Sequence, residues 1–309
     1  MLDLGFLLNP PPGLTVPVVL GVAVLLGVLH GITPDEHTWP ITFSYAIGSY
    51  STRGGMKSGF VFSGGFTIQR AILAFLGFEG LAAIYESYHL EGYVYAIVGA
   101  GMFLAGRYML KGRDMHIPID RLLGGKSHHD PRAERTPMRE VEDVRPVSMK
   151  LAAGHGFIAG WGIGAYASII MFVLAPQMPN AAYAALVGAA FGLGTMAMQV
   201  ILGVIFANIM RLKKLTIDQM KYVGRSAAAR TLYLGGLVFA SVGAAVVALP
   251  WLASAGLSTG SAIPNISVIG VSTVLVLSTL GVLGFGNIYL GYREITGTSE
   301  ADAHTKQPG

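Results

Sequence analysis

Residues 14–40 read LTVPVVLGVAVLLGVLHGITPDEHTWP, and this stretch decides the fold because it joins an apolar run to a polar motif. The apolar run is about as long as the 20 residues that a helix needs to cross a bilayer. His30, Asp35 and His37 follow at its end, and ionisable side chains at membrane depth mark functional sites. Pro34 must break the helix, because it lacks an N–H and crowds the preceding turn. The stretch therefore predicts a broken transmembrane helix that carries an ion site.

The composition assigns the whole chain to the membrane class. Of its 309 residues, 52% are hydrophobic and only 12% are charged, whereas soluble proteins carry roughly 25% charged residues. Mean hydropathy is +0.56, and the 42 glycines suit closely packed transmembrane helices. The absence of cysteine excludes disulfides, thiolate metal ligands and thiol–disulfide electron carriers. No G-x-x-x-x-G-K-[ST] motif occurs, so we expect no nucleotide as a partner. For a membrane protein of this class we expect no nucleic acid as a partner either.

Seven apolar runs are long enough to span the hydrocarbon core of a bilayer. They cover residues 14–33, 58–84, 92–110, 149–175, 182–210, 228–252 and 264–291. Residues 35–50 are less apolar; they form either a re-entrant or interfacial half-helix that continues the first span, or a short eighth crossing. We therefore predict an all-α polytopic membrane protein with about seven transmembrane helices and a broken helix at the His/Asp motif.

Apart from Arg70 and Arg107 within the spans, the basic residues lie in or beside alternate loops of this seven-span arrangement. They are Arg53, Lys57, the cluster within 111–150, the group from Arg211 to Arg230, and Arg293. The opposite loops, at 86–92, 177–181 and 250–264, contain no Lys or Arg. Since cytoplasmic loops are enriched in Lys and Arg, we predict a multi-pass protein of the cell (cytoplasmic) membrane, with its N-terminus outside and its C-terminus in the cytoplasm.

The chain contains two similar halves. We predict a first transmembrane half at 1–110, a charged cytoplasmic loop at 111–148, a second transmembrane half at 149–252, an additional C-terminal transmembrane helix at 253–295, and a disordered tail at 296–309. GVLHGI around His30 is similar to AAGHGF around His155, and FSGGF at 62–66 is similar to FGLG at 191–194. Three spans per repeat would make the halves inverted, which is common in secondary transporters with a site near the midplane.

The His/Asp motif has the chemistry of a metal site, because imidazole and carboxylate together suit divalent transition metals. In an unbroken helix His30 and His37 would lie about 10 Å apart along the axis, too far to share an ion held at about 2 Å. A break at Pro34 would bring them together, with Asp35 as a ligand or as a partner that orients a ligand. Alternatively, His30 bonds a neighbouring helix and Asp35 caps a half-helix.

Two further ionisable residues lie within the predicted spans. Arg70 lies near the middle of the second span, where it must face a partner or water. It either pairs with Asp35 or Glu36, which balances the charge of an empty site, or bonds the carbonyls of a broken helix. An arginine beside the site also fits an anionic substrate. His155 is either a fourth ligand from the second half or a packing residue.

The motif HGITPDEH at 30–37, followed by a Gly-rich second span, a charged loop and FGLGT in the second half, resembles the nickel/cobalt transporter superfamily (the NicO-type permeases and exporters). Members carry His, a four-residue spacer, then Asp and His in an early transmembrane helix. His30 and Asp35 match that pattern, while Glu36 displaces His37 by one position. Phe66 stands where the family often has another His. The resemblance covers roughly 14–250 and implies transition-metal transport across the cytoplasmic membrane.

We therefore expect a secondary transporter of a divalent metal such as nickel or cobalt, not an enzyme, with no cofactor other than the transported ion. The candidate metal ligands are His30, Asp35, Glu36, His37 and His155, with Arg70 as the charge-balancing or substrate-binding residue. The bilayer and the metal ion are the expected partners, and oligomerisation stays open. The alternatives are an anion or small-solute transporter that uses Arg70 as its clamp, and a membrane-embedded metalloenzyme with an open coordination position.

Overall fold

The computed structural model describes residues 3–80, 90–110, 145–209 and 215–305, with side chains up to residue 296. The helices are α1 (Leu4–Leu8), α2 (Val16–Ile32), α3 (Trp39–Gly48), α4 (Thr52–Phe78), α5 (Glu91–Leu110), α6 (Met149–Ala159), α7 (Ala165–Ser168), α8 (Ala181–Ile209), α9 (Ile217–Ala248), α10 (Val271–Val276) and α11 (Phe285–Thr305). The other elements are π-helical stretches at Ile169–Leu174 and Leu277–Gly284, 3-10 turns at Ala175–Gln177 and Pro250–Ser254, and an antiparallel hairpin of β1 (Gly256–Ser258) and β2 (Val268–Gly270). The predicted charged loop at 111–148 lies outside the described residues except for its last four.

Five helical segments in these ranges are long and apolar enough to cross a membrane. They are Thr52–Phe78, Glu91–Leu110, Ala181–Ile209, Ile217–Ala248 and Val271–Thr296. The predicted class is therefore confirmed in its coarse form: the protein is helical, membrane-embedded and multi-pass.

The first predicted span and the half-helix after it form two segments in series. α2 ends at Ile32, residues 33–38 form a break, and α3 follows with every residue from Pro40 to Gly48 buried. α3 is about 15 Å long, too short to cross a bilayer by itself. It packs against α8, where the Thr42 hydroxyl donates to Gln199 Oε1 at 2.6 Å, and against α9.

The predicted span at 149–175 is also interrupted, which the apolar pattern does not predict. α6 ends at Ala159, and residues 160–164 separate it from α7. No proline marks this break, so the uninterrupted apolar run gives no sign of it. α7 continues through the π-helical stretch and the 3-10 turn to Gln177.

Three predicted boundaries in the last third differ from the structure. α9 begins at Ile217 rather than near 228, because Thr216 and Gln219 form a capping box that starts the helix in the polar segment. The predicted span at 264–291 begins inside the hairpin, and the helix itself starts at Val271. α11 continues to Thr305, whereas the polar composition after residue 296 indicates a disordered tail.

Glycines bring the long helices into backbone contact. On α2, a Cβ added to Gly27 would clash with the Phe191 carbonyl of α8, and on α6 a Cβ at Gly156 would clash with the Phe62 carbonyl of α4. Gly194 and Gly65 meet the carbonyls of α2 and α6 in the same way. The corresponding glycines, 27 with 156 and 65 with 194, are each 129 positions apart in the chain. The packing of α2 on α8 therefore matches the packing of α6 on α4, residue for residue.

The two pairs of long helices run antiparallel. On α4, Gly55 faces Gly203 of α8, while Arg70 faces Gly188, so residue numbers rise along one helix as they fall along the other. α5 and α9 pair in the same sense, through Gly92, Gly99 and Gly106 on α5 and Gly236 and Gly243 on α9.

The hairpin between α9 and α10 reaches the first break. Asn265, in the loop of the hairpin, has a left-handed backbone with φ of 68°, a conformation that Asn tolerates better than most residues. Its side-chain amide donates to the Thr33 hydroxyl at 3.3 Å. The loop after β1 is thus anchored two residues from Asp35.

Candidate metal centre

The break between α2 and α3 is built by local hydrogen bonds around Pro34. The Thr33 hydroxyl donates to the Leu29 carbonyl at 2.9 Å and so caps α2. The Asp35 carboxylate accepts from the His37 N–H at 3.0 Å, and the Asp35 carbonyl accepts from Trp39 N–H, which starts α3. The bond from His37 N–H lies within the break, one residue before the N-cap Thr38 of α3, so the alternative of Asp35 as a cap of the half-helix stays a prediction.

Three consecutive residues of this break form a candidate metal centre. Asp35, Glu36 and His37 each offer one ligand atom, and these atoms lie within 4.8 Å of one another. All three side chains are buried, with 6–7% of their residue surface exposed. His37 Nδ1 lies 3.3 Å from Glu36 Oε1. Two carboxylates and an imidazole suit a divalent transition metal.

His30, at the end of α2, lies beside this group. Its Nδ1 is 3.8 Å from Asp35 Oδ2, beyond hydrogen-bond distance but close enough for one ion, at about 2 Å from each atom, to bridge them. Among the described residues, neither ring nitrogen of His30 has a hydrogen-bond partner, and neither does Nε2 of His37. Buried polar atoms are normally bonded, so these unpartnered nitrogens favour a ligand role for His30 over the alternative of a hydrogen bond to a neighbouring helix.

Aromatic rings hold His30 in place. Its ring stacks on Phe66 at 5.6 Å and on Phe191 at 5.3 Å, and Tyr166 lies edge-on at 5.7 Å. Phe66, which stands where the resembled family often carries His, therefore contacts a candidate ligand directly.

Arg70 connects the site to the break in the second half. Its guanidinium donates to the Gly162 carbonyl at 2.9 Å and lies over the Phe66 ring at 4.5 Å. Gly162 itself packs against the His37 ring, since an added Cβ would lie 2.6 Å from Cε1 of His37. The two helix breaks thus meet at Arg70 and His37. The bond to Gly162 agrees with the interpretation that Arg70 donates to the carbonyls of a broken helix. The charge-balancing role of Arg70 stays a prediction.

The structure does not bring His155 to this cluster. Its Nδ1 shares a hydrogen bond of 2.6 Å with the Tyr45 hydroxyl, and its Nε2 lies against Gly101 on α5. His155 thus lies between α3, α5 and α6, outside the group of Asp35, Glu36 and His37, and its role as a ligand or as a packing residue stays a prediction.

Sequence reasoning missed Tyr95 and Glu91 on α5. The Tyr95 ring stacks on the His37 ring at 5.2 Å, with 11° between the planes. Its hydroxyl lies 3.0 Å from Glu36 Oε1 and 2.9 Å from Glu91 Oε1. The spacing of Glu91 and Tyr95 places them on one helix face. The sequence signal that could have indicated them is the Glu91 carboxylate at the start of an apolar span.

No protein-family model, no curated protein and no solved structure matches the chain.

Proposed function

We propose that the protein is a secondary transporter of a divalent transition-metal cation across the cell membrane. The observation that carries the proposal is the buried triad of Asp35, Glu36 and His37, whose ligand atoms lie within 4.8 Å of one another. Two carboxylates give the triad more negative charge than the single guanidinium of Arg70 offsets, which favours a cation. The resemblance of HGITPDEH to nickel/cobalt transporters supports nickel or cobalt as the substrate.

The depth of the site supports transport rather than surface binding. Arg70 lies about 12 Å along the helix axis from Phe78 at one end of α4 and about 27 Å from Thr52 at the other. A cation held beside it would be inside the membrane, where buried ionisable groups mark ion pathways.

The matched packing of the two halves supports an inverted repeat. Each half has a broken helix followed by two long helices, α2/α3 with α4 and α5, and α6/α7 with α8 and α9. Equivalent helices α4 and α8 are antiparallel, as inversion requires. With α10 and α11 as one further crossing, this arrangement supports seven crossings and a site between the halves, as in many secondary transporters.

The proposed orientation predicts the sidedness of two loops. The chain has no native cysteine, so Ser127→Cys and Ser258→Cys each introduce a single reporter. We expect an impermeant maleimide to label Ser127→Cys only from the cytoplasm and Ser258→Cys only from outside, since basic residues surround the first and are absent around the second. A Thr216→Cys protein serves as a second cytoplasmic reporter. Labelling of both loops from the same side would contradict the seven-crossing arrangement.

Arg70 also supports the alternative of an anionic substrate, since a guanidinium binds carboxylate and phosphate oxygens well. We test the two substrates by titrating Ni²⁺, Co²⁺ and candidate anions into the wild type and Arg70→Gln. If the cargo is a cation, Arg70→Gln still binds metal, because it removes a repelling charge and no ligand. If the cargo is an anion, Arg70→Gln loses it.

The exposed Arg107 on α5 provides the matched control, since Arg107→Gln removes the same charge from the surface. Metal binding that survives in Arg70→Gln supports the proposed function. A wild type that binds no divalent metal, together with anion binding that vanishes only in Arg70→Gln, would replace it with the alternative.

A further inference from the structure

The hydroxyl of Tyr95 lies between two carboxylates that compete for it. It is 3.0 Å from Glu36 Oε1 and 2.9 Å from Glu91 Oε1. A phenol has one hydrogen to donate, so a full-strength bond can go to only one of two ionised carboxylates at a time. The other carboxylate then faces a lone pair of the phenol oxygen.

The ring of Tyr95 is fixed, so only the hydroxyl hydrogen can change its partner. Tyr95 is 1% exposed; its ring stacks on His37 and meets the ring of Phe239 edge-on at 6.3 Å. Rotation about the phenol C–O bond turns the hydrogen from one carboxylate to the other without moving the ring.

The two acceptors differ in position. Glu36 belongs to the buried triad, and its Oε1 also lies 3.3 Å from His37 Nδ1. Glu91 is the first residue of α5 and is only partly buried; the amide groups of a helix N-terminus stabilise a carboxylate there. Glu91 is not part of the triad, and its contact with Glu36 runs through the Tyr95 oxygen.

We propose that Tyr95 is a two-position hydrogen-bond switch that positions Glu36: it donates to Glu36 in the empty site and to Glu91 when Glu36 binds a metal. A metal withdraws electron density from the Glu36 oxygen and makes it a poorer acceptor, so the hydrogen turns to the charged oxygen of Glu91. No group gains or loses a proton in this exchange. The inference rests on the proposed function, and it makes Glu91 a positioning residue that acts through Tyr95.

A two-by-two set of full-length proteins tests the switch: wild type, Tyr95→Phe, Glu91→Gln and the double variant, titrated with Ni²⁺ and Co²⁺. Hydrogen bonds to ionised acceptors are about twice as strong as those to neutral ones. Glu91→Gln should therefore weaken metal binding about fivefold to tenfold in the presence of Tyr95. In the Tyr95→Phe background the same substitution should change affinity less than about twofold, because the phenol hydroxyl that links the two carboxylates is gone.

A spectroscopic signature separates the switch from a structural role. Metal addition should shift the near-ultraviolet tyrosine absorption of the wild type, because the phenol changes its acceptor. Tyr95→Phe should lose this shift, and the control Tyr93→Phe, which removes an exposed hydroxyl on the same helix, should keep it.

Three outcomes are distinguishable. Coupling between the two substitutions together with the tyrosine signal supports the switch. Metal binding in the wild type with an equal effect of Glu91→Gln in both backgrounds reveals a through-space charge effect and overturns the switch while the metal site stands. A wild type that binds neither metal overturns the proposed function, and the switch with it.

Discussion

Asp35→Asn is expected to abolish metal transport while the protein still folds and inserts into the membrane. Asparagine keeps the size of the side chain and an oxygen that accepts the His37 N–H bond seen at 3.0 Å, so the break between α2 and α3 is preserved. It removes the charge and the ligand oxygen Oδ2, which lies 3.8 Å from His30 Nδ1. Loss of an outer partner of a ligand already costs 10- to 100-fold in metal affinity, so loss of a ligand should cost at least about 100-fold.

The measurement is uptake of labelled Ni²⁺ or Co²⁺ into proteoliposomes, beside titration of the purified protein. Asp3→Asn is the matched control, since Asp3 is exposed and only caps α1. The double variant His30→Gln/Asp35→Asn sharpens the test: transport at the wild-type level by this protein, correctly inserted, would contradict the metal site.

Gly156→Ala should destabilise the protein by about 3 kcal/mol or more, because overpacking a tight interface costs 1–3 kcal/mol even where side chains can yield. At Gly156 the obstacle is the backbone carbonyl of Phe62, which cannot move without displacing α4. The midpoint of thermal unfolding in detergent measures the effect.

Gly154→Ala is the matched control on the same helix, because an added Cβ there meets nothing within 4 Å. Since alanine is the better helix former by roughly 1 kcal/mol, this variant should be as stable as the wild type or slightly more so. Equal unfolding midpoints in the two variants would contradict the tight backbone contact at Gly156.

The first helix break was predictable and the second was not, for a physical reason. Because Pro34 lacks an N–H, the local sequence alone predicts a helix break there. The break at 160–164 has glycines instead, and glycine is tolerated in transmembrane helices, so only contacts with distant residues select the broken form. Gly162 meets His37 and Arg70, both more than ninety positions away in sequence.

In the candidate site, too, contacts between residues close in sequence were predictable and contacts between distant residues were not. His30, Asp35, Glu36 and His37 are close in sequence, and the broken helix brings them together locally. The sequence context of His155 is similar to that of His30 and leaves its role open between ligand and packing residue, because its hydrogen-bond partner, Tyr45, lies 110 positions away. Tyr95 reaches the site only because α5 packs beside the break, a contact that no local pattern encodes.

The glycine contacts have a mechanical consequence. Where backbone meets backbone, as between Gly99 and Gly236 or between Gly55 and Gly203, sliding one helix along its neighbour would drive Cα atoms into carbonyl oxygens. We therefore expect each of the pairs α4/α8 and α5/α9 to move as a rigid unit. The regular helix is interrupted between α2 and α3 at 33–38 and between α6 and α7 at 160–164, so we expect bending to concentrate at these two breaks, and the candidate metal centre lies on the first of them.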